Sequence, residues 1–432
     1  MPSDIRTHKL TIVCAMLFVL VLGNPWQAAA QRSGFGAVTG AAMVDCQDNA
    51  ELGVGIIRAG QDWRDLQSSP YQTIDWSYQD SVFDCFINQG IDIFWTLAYA
   101  PVAAGGDHDG HNLPDYGAWQ NFVWQALTHY HPRYGNRITF GIWNEPDGTF
   151  LRGCPSYYND KGQCWGAQLW APAVAIRNQY APGARLAGPE MGTYDSRFDS
   201  ALGYFNAWAQ PQDVITTHWY GFSPGLANWM NTVISKAGGR ETWLTETGWT
   251  NTCHPQLQAD AINHIATTFV QRSNPAWTKI FIYRSARLWD CSSLRLGDGT
   301  KTFAFNTYKS YIPGAPSGGG FTTMTPGQTL YPGQALYSPN GRFQFIYQTD
   351  GNLVLYDNGA AAWAINCWPE CRNVGVPGRA TMQTDGNFVV YDAYNSPVFH
   401  TWTFGHDGSY LTIGDDGSLA VRSPGGSILW QR

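Results

Sequence analysis

Between residues 35 and 283 one pattern recurs eight times: a short apolar run of strand-forming residues, then a longer connection. The candidate strands are 35–38, 53–59, 91–99, 138–144, 185–188, 214–220, 242–245 and 279–283. Helical spacing marks 116–130, 167–180, 200–209, 227–237 and 256–271 between them. The strand runs are apolar throughout rather than strictly alternating, as expected for parallel strands covered on both faces. Eight such units predict an α/β chain closed as a (β/α)8 TIM barrel. A doubly wound open sheet competes, but no Gly-rich phosphate loop follows an early strand.

The pattern stops near residue 312. Ile-Pro-Gly-Ala-Pro-Ser-Gly-Gly-Gly (312–320) reads as a hinge. The remainder, 321–432, has short strands and no helical period. It also repeats itself: Gln-Thr-Asp-Gly-Asn-Leu-Val-Leu-Tyr (348–356), Gln-Thr-Asp-Gly-Asn-Phe-Val-Val-Tyr (383–391) and Gly-Asp-Asp-Gly-Ser-Leu-Ala-Val-Arg (414–422), spaced by 35 and 31 residues. One supersecondary unit copied three times is the expected reading, with Asp-Gly-Asn forming a tight turn. Trp363, Trp402 and Trp430 follow the three copies and are expected to pack in a shared centre. The expected division is a barrel over 31–312, a linker over 313–320 and an all-β domain over 321–432.

The first thirty residues stand outside this plan. Arg6, His8 and Lys9 precede an apolar run, Leu10 to Leu22, and Ala28-Ala29-Ala30 offers a cleavage site before Gln31. That is the form of a secretory signal peptide, and the run is short for a membrane span. With Cys14 removed, eight cysteines remain, an even number that suits disulfides in an exported chain. Pairing in chain order gives Cys46–Cys85, Cys154–Cys164, Cys253–Cys291 and Cys367–Cys371. A zinc site is disfavoured because the chain has no CxxC. Net charge is −7 with 14% charged residues and no basic stripe, which argues against nucleic acid as a partner. Aromatic residues make up 15%, with 20 Trp; flat rings stack on the C–H faces of sugars but also fill cores.

Two of the strand runs end in carboxylates. Glu145 closes Ile-Thr-Phe-Gly-Ile-Trp-Asn-Glu-Pro (138–146), and Glu246 lies in Glu-Thr-Trp-Leu-Thr-Glu-Thr-Gly-Trp (241–249). A barrel gathers strand C-terminal ends at one face, so the two glutamates converge. A carboxylic acid and a second carboxylate roughly 5 Å apart are the equipment for glycosidic cleavage with retention, provided one carries a raised pKa and the other stays ionised. Trp-Asn-Glu-Pro on the fourth strand and Thr-Glu-Thr-Gly on the seventh resemble the glycoside hydrolases of clan A, over about residues 34–312. The resemblance implies Glu145 as acid/base, Glu246 as nucleophile, Asn144 on the sugar 2-hydroxyl and Tyr220 holding the nucleophile. His218 and Tyr220, two apart, share one face. Arg58 would pair with Glu246, and Trp95, Tyr99, Trp249 and Trp289 are candidates for sugar stacking. Glu190, a third strand-end carboxylate, is a binding or ion-pair candidate rather than a catalytic one.

In the second region Gln, Asp, Asn and Tyr at alternate positions offer donors and acceptors on one face of a strand. This Gln-x-Asp-x-Asn-x-Val-x-Tyr signature resembles the bulb-type, mannose-binding lectins. That resemblance implies a β-prism and two sugar sites: Gln348, Asp350, Asn352, Val354 and Tyr356, then Gln383, Asp385, Asn387, Val389 and Tyr391. The third copy keeps only Asp416; Gly414, Ser418, Ala420 and Arg422 replace the rest, and it is expected to be silent or altered. The chain therefore reads as a secreted retaining glycosidase acting on a polysaccharide. A mannose-type lectin anchors it, and neither cofactor nor metal is called for. A carbohydrate-binding lectin, adhesion or defence protein with an inactive or accessory barrel is the alternative.

Overall fold

The computed structural model describes residues 34–220, 225–248, 255–288, 292–312, 323–332, 334–338, 342–348, 350–358, 360–365 and 376–432. The signal-peptide and linker expectations (1–30, 313–320) lie outside them. So do the pairs Cys253–Cys291 and Cys367–Cys371.

Eight parallel strands close into a barrel in chain order: β1 (Phe35–Val38), β2 (Ile56–Arg58), β3 (Asp92–Leu97), β4 (Ile138–Ile142), β5 (Arg185–Met191), β6 (Val214–Tyr220), β7 (Thr242–Gly248) and β8 (Trp277–Tyr283). β8 pairs with β1. Each run from the sequence becomes a strand. β2 is shorter than expected because Gly53, at φ 88°, is the left-handed C-cap of the helix Met43–Leu52. Helices begin earlier than their periodicity suggests, because Asp160 and Asp195 cap them by accepting from the backbone N–H of Gln163 and Arg197.

Two apolar layers hold the barrel. A large one lies between strands and helices. A small plug of Ile56, Phe94, Ala187, Val214, Trp243 and Phe281 fills the barrel axis, with Phe94 packed at 5.7 Å centroid distance on both Trp243 and Phe281. The disulfide Cys46–Cys85 ties the helix Met43–Leu52 to the helix Ser77–Asn88. Cys154–Cys164 closes a short loop after β4. Both pairings are those expected. Among the described residues no helix is long and apolar enough to cross a membrane.

The second region contains three four-stranded antiparallel sheets around a core of its own. Its strands are β9 (Thr323–Met324), β10 (Thr329–Leu330), β11 (Ala335–Tyr337), β12 (Phe343–Tyr347), β13 (Leu353–Asp357), β14 (Ala360–Ala364), β15 (Pro377–Met382), β16 (Phe388–Asp392), β17 (Pro397–His400), β18 (Tyr410–Ile413), β19 (Leu419–Arg422) and β20 (Ile428–Gln431). The first repeat enters the sheet β11–β14, the second joins β10 to β15–β17, and the third joins β9 to β18–β20. Where the three sheets meet, Trp363, Phe399 and Trp430 touch one another at 5.9 to 6.3 Å. This corrects one expectation: Trp402 is not in the centre but 73% exposed, and Phe399 occupies the place assigned to it. Strand alternation explains the swap, since Phe399 lies opposite the buried Val390 and faces inward with it.

The plug and the polar C-terminal end of the barrel meet at Gly141 on β4. A Cβ there would lie 2.3 Å from Glu190 Oε1 and 2.8 Å from the Phe94 ring. Gly141→Ala is expected to destabilise the barrel by about 1–3 kcal/mol through overpacking, read as a lower midpoint in urea unfolding; an unchanged midpoint would refute this packing account.

Candidate active site

Stepping along the barrel strands from the plug leads to polar side chains. Two residues beyond Ile56 stands Arg58, and two beyond Phe94 stands Thr96. From Val214 the same face carries Thr216, His218 and Tyr220. β5 and β7 would break this rule if they were regular. Register shifts between Pro189 and Met191 and between Leu244 and Thr247 interrupt them, and such irregularities re-aim side chains. Glu190 and Glu246 are thereby brought to the same group. Beyond β4, Trp143 (φ 65°) and Glu145 (φ 39°) are left-handed, as are Glu190 (φ 51°) and Tyr99 (φ 67°). Such residues cost on the order of 1–3 kcal/mol each and persist only where surroundings dictate them. Here the buried Trp143 does so: its indole N–H donates to Phe150 O at 2.6 Å, and its backbone N–H donates to Leu97 O at 3.0 Å.

Arg58 is the hub. Its guanidinium donates to Glu246 Oε2 at 2.7 Å, to Asn144 Oδ1 at 2.6 Å and to Thr96 Oγ1 at 3.1 Å, and it pairs with Glu190 Oε2 at 2.8 Å. Tyr220 OH donates to the other Glu246 oxygen. Asn144 Nδ2 donates to Tyr99 OH at 2.8 Å, and Thr96 Oγ1 donates to Glu190 Oε1 at 3.0 Å. His218 Nδ1 lies 2.8 Å from Glu145 Oε1 and 3.8 Å from Glu246 Oε2, while its Nε2 is 3.4 Å from Glu190 Oε2.

Charge follows geometry. Burial disfavours the His218 imidazolium, but Glu246, Glu145 and Glu190 together outweigh it and push the pKa up to about 9. Burial would raise Glu145, yet the His218 hydrogen bond, its charge and that of Arg58 leave Glu145 below its usual value. The expected acid with a raised pKa is therefore not met in the open cleft. The proton resides on His218, one hydrogen bond away. Burial and Glu246 hold the Tyr220 hydroxyl far above its ordinary range, so it stays a donor.

The cleft, of about 250 Å³, is lined by Arg58, Asp62, Trp95, Thr96, Tyr99, Asn144, Glu145, Phe150, Glu246 and Tyr283, among others. Trp95 is 1% exposed, its indole N–H donates to Gln61 O, and Trp76, Phe83, Phe122 and Tyr130 surround it. It is wall, not stacking platform. Trp249 and Trp289 lie outside the described residues. Sequence reasoning passed over Thr96, Asp62, Phe150 and Tyr283; alternation from Phe94 pointed to Thr96, and no local pattern marked the others. Glu190, offered as a binding or ion-pair residue, pairs with Arg58. One oxygen or nitrogen from each of Glu145, His218 and Glu246 lies within 4.8 Å of the others, a spacing that a cation could occupy. Arg58 already holds the Glu246 oxygen, and a protonated imidazole lacks the lone pair that a metal needs.

The first two repeats of the second region make the same hydrogen bonds. Gln348 Nε2 donates to Tyr356 OH at 2.8 Å, and Gln383 Nε2 donates to Tyr391 OH at 2.8 Å. Asp350 and Asp385 each accept from the backbone N–H of the Asn two residues on, both at 2.9 Å. Asp416 keeps that turn with Ser418 N, also at 2.9 Å.

Residues 118–290 match the family model described as the glycosyl hydrolase catalytic core. A mannose-specific lectin of Aloe arborescens is 36% identical over 90 residues, 20% of this chain and 79% of that protein. The chain belongs to the mannose-specific lectin family through its C-terminal part. An endo-β-1,4-glucanase of Xanthomonas axonopodis pv. citri shares the barrel fold, with TM-score 0.51 and 12% identity over 65% of this chain and 99% of that one. The mannose-specific agglutinin of snowdrop (Galanthus nivalis) is 34% identical over 24% of this chain and 89% of its own, with TM-score 0.22. In the present chain the third repeat keeps the turn but not the Gln–Tyr pair. Gly414 and Arg422 stand in those places, and the Arg422 guanidinium donates to Gly426 O instead.

The His218 charge carries a stability signature. Its folded pKa, about 9, exceeds the ordinary 6.5, so its contribution is complete below pH 6.5 and is lost as pH rises through 9. The melting temperature is expected to fall across that window, and His218→Gln to flatten the fall. An equally steep fall in the variant would assign it to other groups.

Proposed function

We propose that the chain is a secreted retaining glycosidase that cleaves β-glycosidic bonds in a polysaccharide, and that its lectin part binds mannose-type glycans and holds it near substrate. One observation carries the first half: oxygens of Glu145 and Glu246 lie within 4.8 Å of each other at the barrel's C-terminal face. Retention uses carboxyl groups roughly 5–5.5 Å apart, whereas inversion leaves roughly 6.5–9.5 Å for a water. Glu246, fixed by Arg58 and Tyr220, is the nucleophile that attacks the anomeric carbon. Glu145 protonates the leaving oxygen and, as a base, then activates the water that hydrolyses the glycosyl-enzyme. Sugar entry expels water and raises the cost of the Glu145 charge, which draws the proton from His218 Nδ1 across the 2.8 Å contact. Asn144, held by Arg58, presents its amide to the sugar 2-hydroxyl.

The lectin half rests on the two intact faces, and tethering raises local substrate concentration without new catalytic contacts. Export is supported by the basic and apolar N-terminal sequence and by the two disulfides.

Reducing-sugar release across β-glucans, β-mannans, xylans and galactans tests the proposal. Glu145→Gln is expected to lower kcat by about 10²–10⁴-fold, and Glu246→Ala to abolish turnover. The first-formed product, observed by NMR, is expected to be the β-anomer. An α-anomer would overturn retention, and equal release by wild type and Glu246→Ala would overturn the assignment. No release from any polymer would favour a lectin with an inactive barrel.

A further inference from the structure

We propose that Trp402, with His400 and Phe404, forms an aromatic subsite beside the second lectin face, so that this face takes an oligosaccharide rather than a single mannose-type sugar. The inference rests on the lectin reading above and extends it to residues outside the repeat signature.

Trp402 and Phe404 are 73% and 57% exposed. The Trp402 ring lies 4.0 Å from the His400 ring and 6.5 Å from that of Phe404. Trp402 is left-handed (φ 60°), a conformation that a bulky residue adopts only when held there. What holds it is the sugar site. Thr401 Oγ1 and Thr403 N both donate to Asn387 Oδ1 at 3.2 Å, and Thr403 Oγ1 donates to Gly386 O at 2.7 Å. His406 N donates to Asp385 O at 3.0 Å. His400 stands directly across the strand pair from Val389, the apolar contact expected of this face, and so shares its side of the sheet.

The segment 400–406 therefore wraps the Asp385-Gly386-Asn387 turn and fixes an indole at its rim. A flat apolar ring suits the C–H face of a sugar. His400 Nδ1 is shielded from solvent yet has no hydrogen-bond partner in the protein, which suits a hydroxyl at the edge of that ring. A glycan whose first residue sits against Gln383, Asp385 and Tyr391 would lay its next residue on Trp402.

Calorimetry on the full chain tests this, in an Asp350→Ala background that silences the first face. The probes are methyl α-mannoside and an α-linked mannopentaose. In the parent, the pentaose is expected to bind more tightly. Trp402→Ala should cut the ratio of pentaose to methyl-mannoside affinity by about tenfold, Trp402→Phe should restore most of it, and Asp385→Ala should abolish both. Equal losses for the two ligands, or no loss for either, would overturn the subsite while leaving the lectin reading intact. Failure of the parent and the wild type to bind either probe would overturn both.

Discussion

The catalytic face depends on one buried cation. The Arg58 guanidinium touches four of its members, Glu246, Glu190, Asn144 and Thr96, and the two carboxylates among these reach on to His218. A buried charge is tolerated only when paired and hydrogen-bonded. Arg58 meets that condition by recruiting groups from β3, β5, β7 and the turn after β4. The same bonds that satisfy it orient the proposed nucleophile and fix the amide of Asn144. Removing Arg58 would leave the fully buried Glu190 with only His218, 3.4 Å away, as a cationic neighbour, so structure and chemistry share one interaction here.

His218 is the second cation, and it differs in being able to lose its proton. Three carboxylates surround it, and it lies closest to Glu145. Against Arg58 and a protonated His218, the three carboxylates leave one net negative charge in the cleft. A sugar passing through an oxocarbenium-like state brings positive charge to that place. A permanently neutral residue at 218 would leave the cleft more negative and Glu145 closer to the ordinary acid range. That would favour its protonation at rest but remove the donor beside it.

Much of the barrel was legible in the sequence because buried parallel strands read as unbroken apolar runs, and all eight were placed. His218 and Tyr220 followed from alternation along β6, and Arg58 from its place at the end of β2. Glu246 was read from its strand-end motif and not from alternation, and Glu190 only as a strand-end carboxylate, because each reaches the cleft through a register shift that no local pattern records. Trp95 illustrates the converse error. A tryptophan on a strand beside a cleft looks like a sugar platform, but its outward side packs under the helix Tyr116–Tyr134. The lowered Glu145 pKa was also beyond sequence reasoning, since it depends on a histidine brought to 2.8 Å by the sheet.

In the lectin part, repetition fixed more than chemistry did. The turn after Asp, Asp-Gly-Asn twice and Asp-Gly-Ser once, recurs with the same hydrogen bond in all three copies, including the copy that has lost its Gln and Tyr. The turn is thus a folding element, and the Gln–Tyr pair is what separates a potential sugar face from a structural repeat. Trp402 shows the limit of reasoning by repeat. Position in the copy suggested the core, but strand parity gives that place to Phe399 and sends Trp402 outward. A buried indole would have needed only the apolar centre. An exposed one, held left-handed by threonines bonded to Asn387, is tied to the turn that carries the proposed sugar face, which is why its physical role is better sought in a ligand than in the fold.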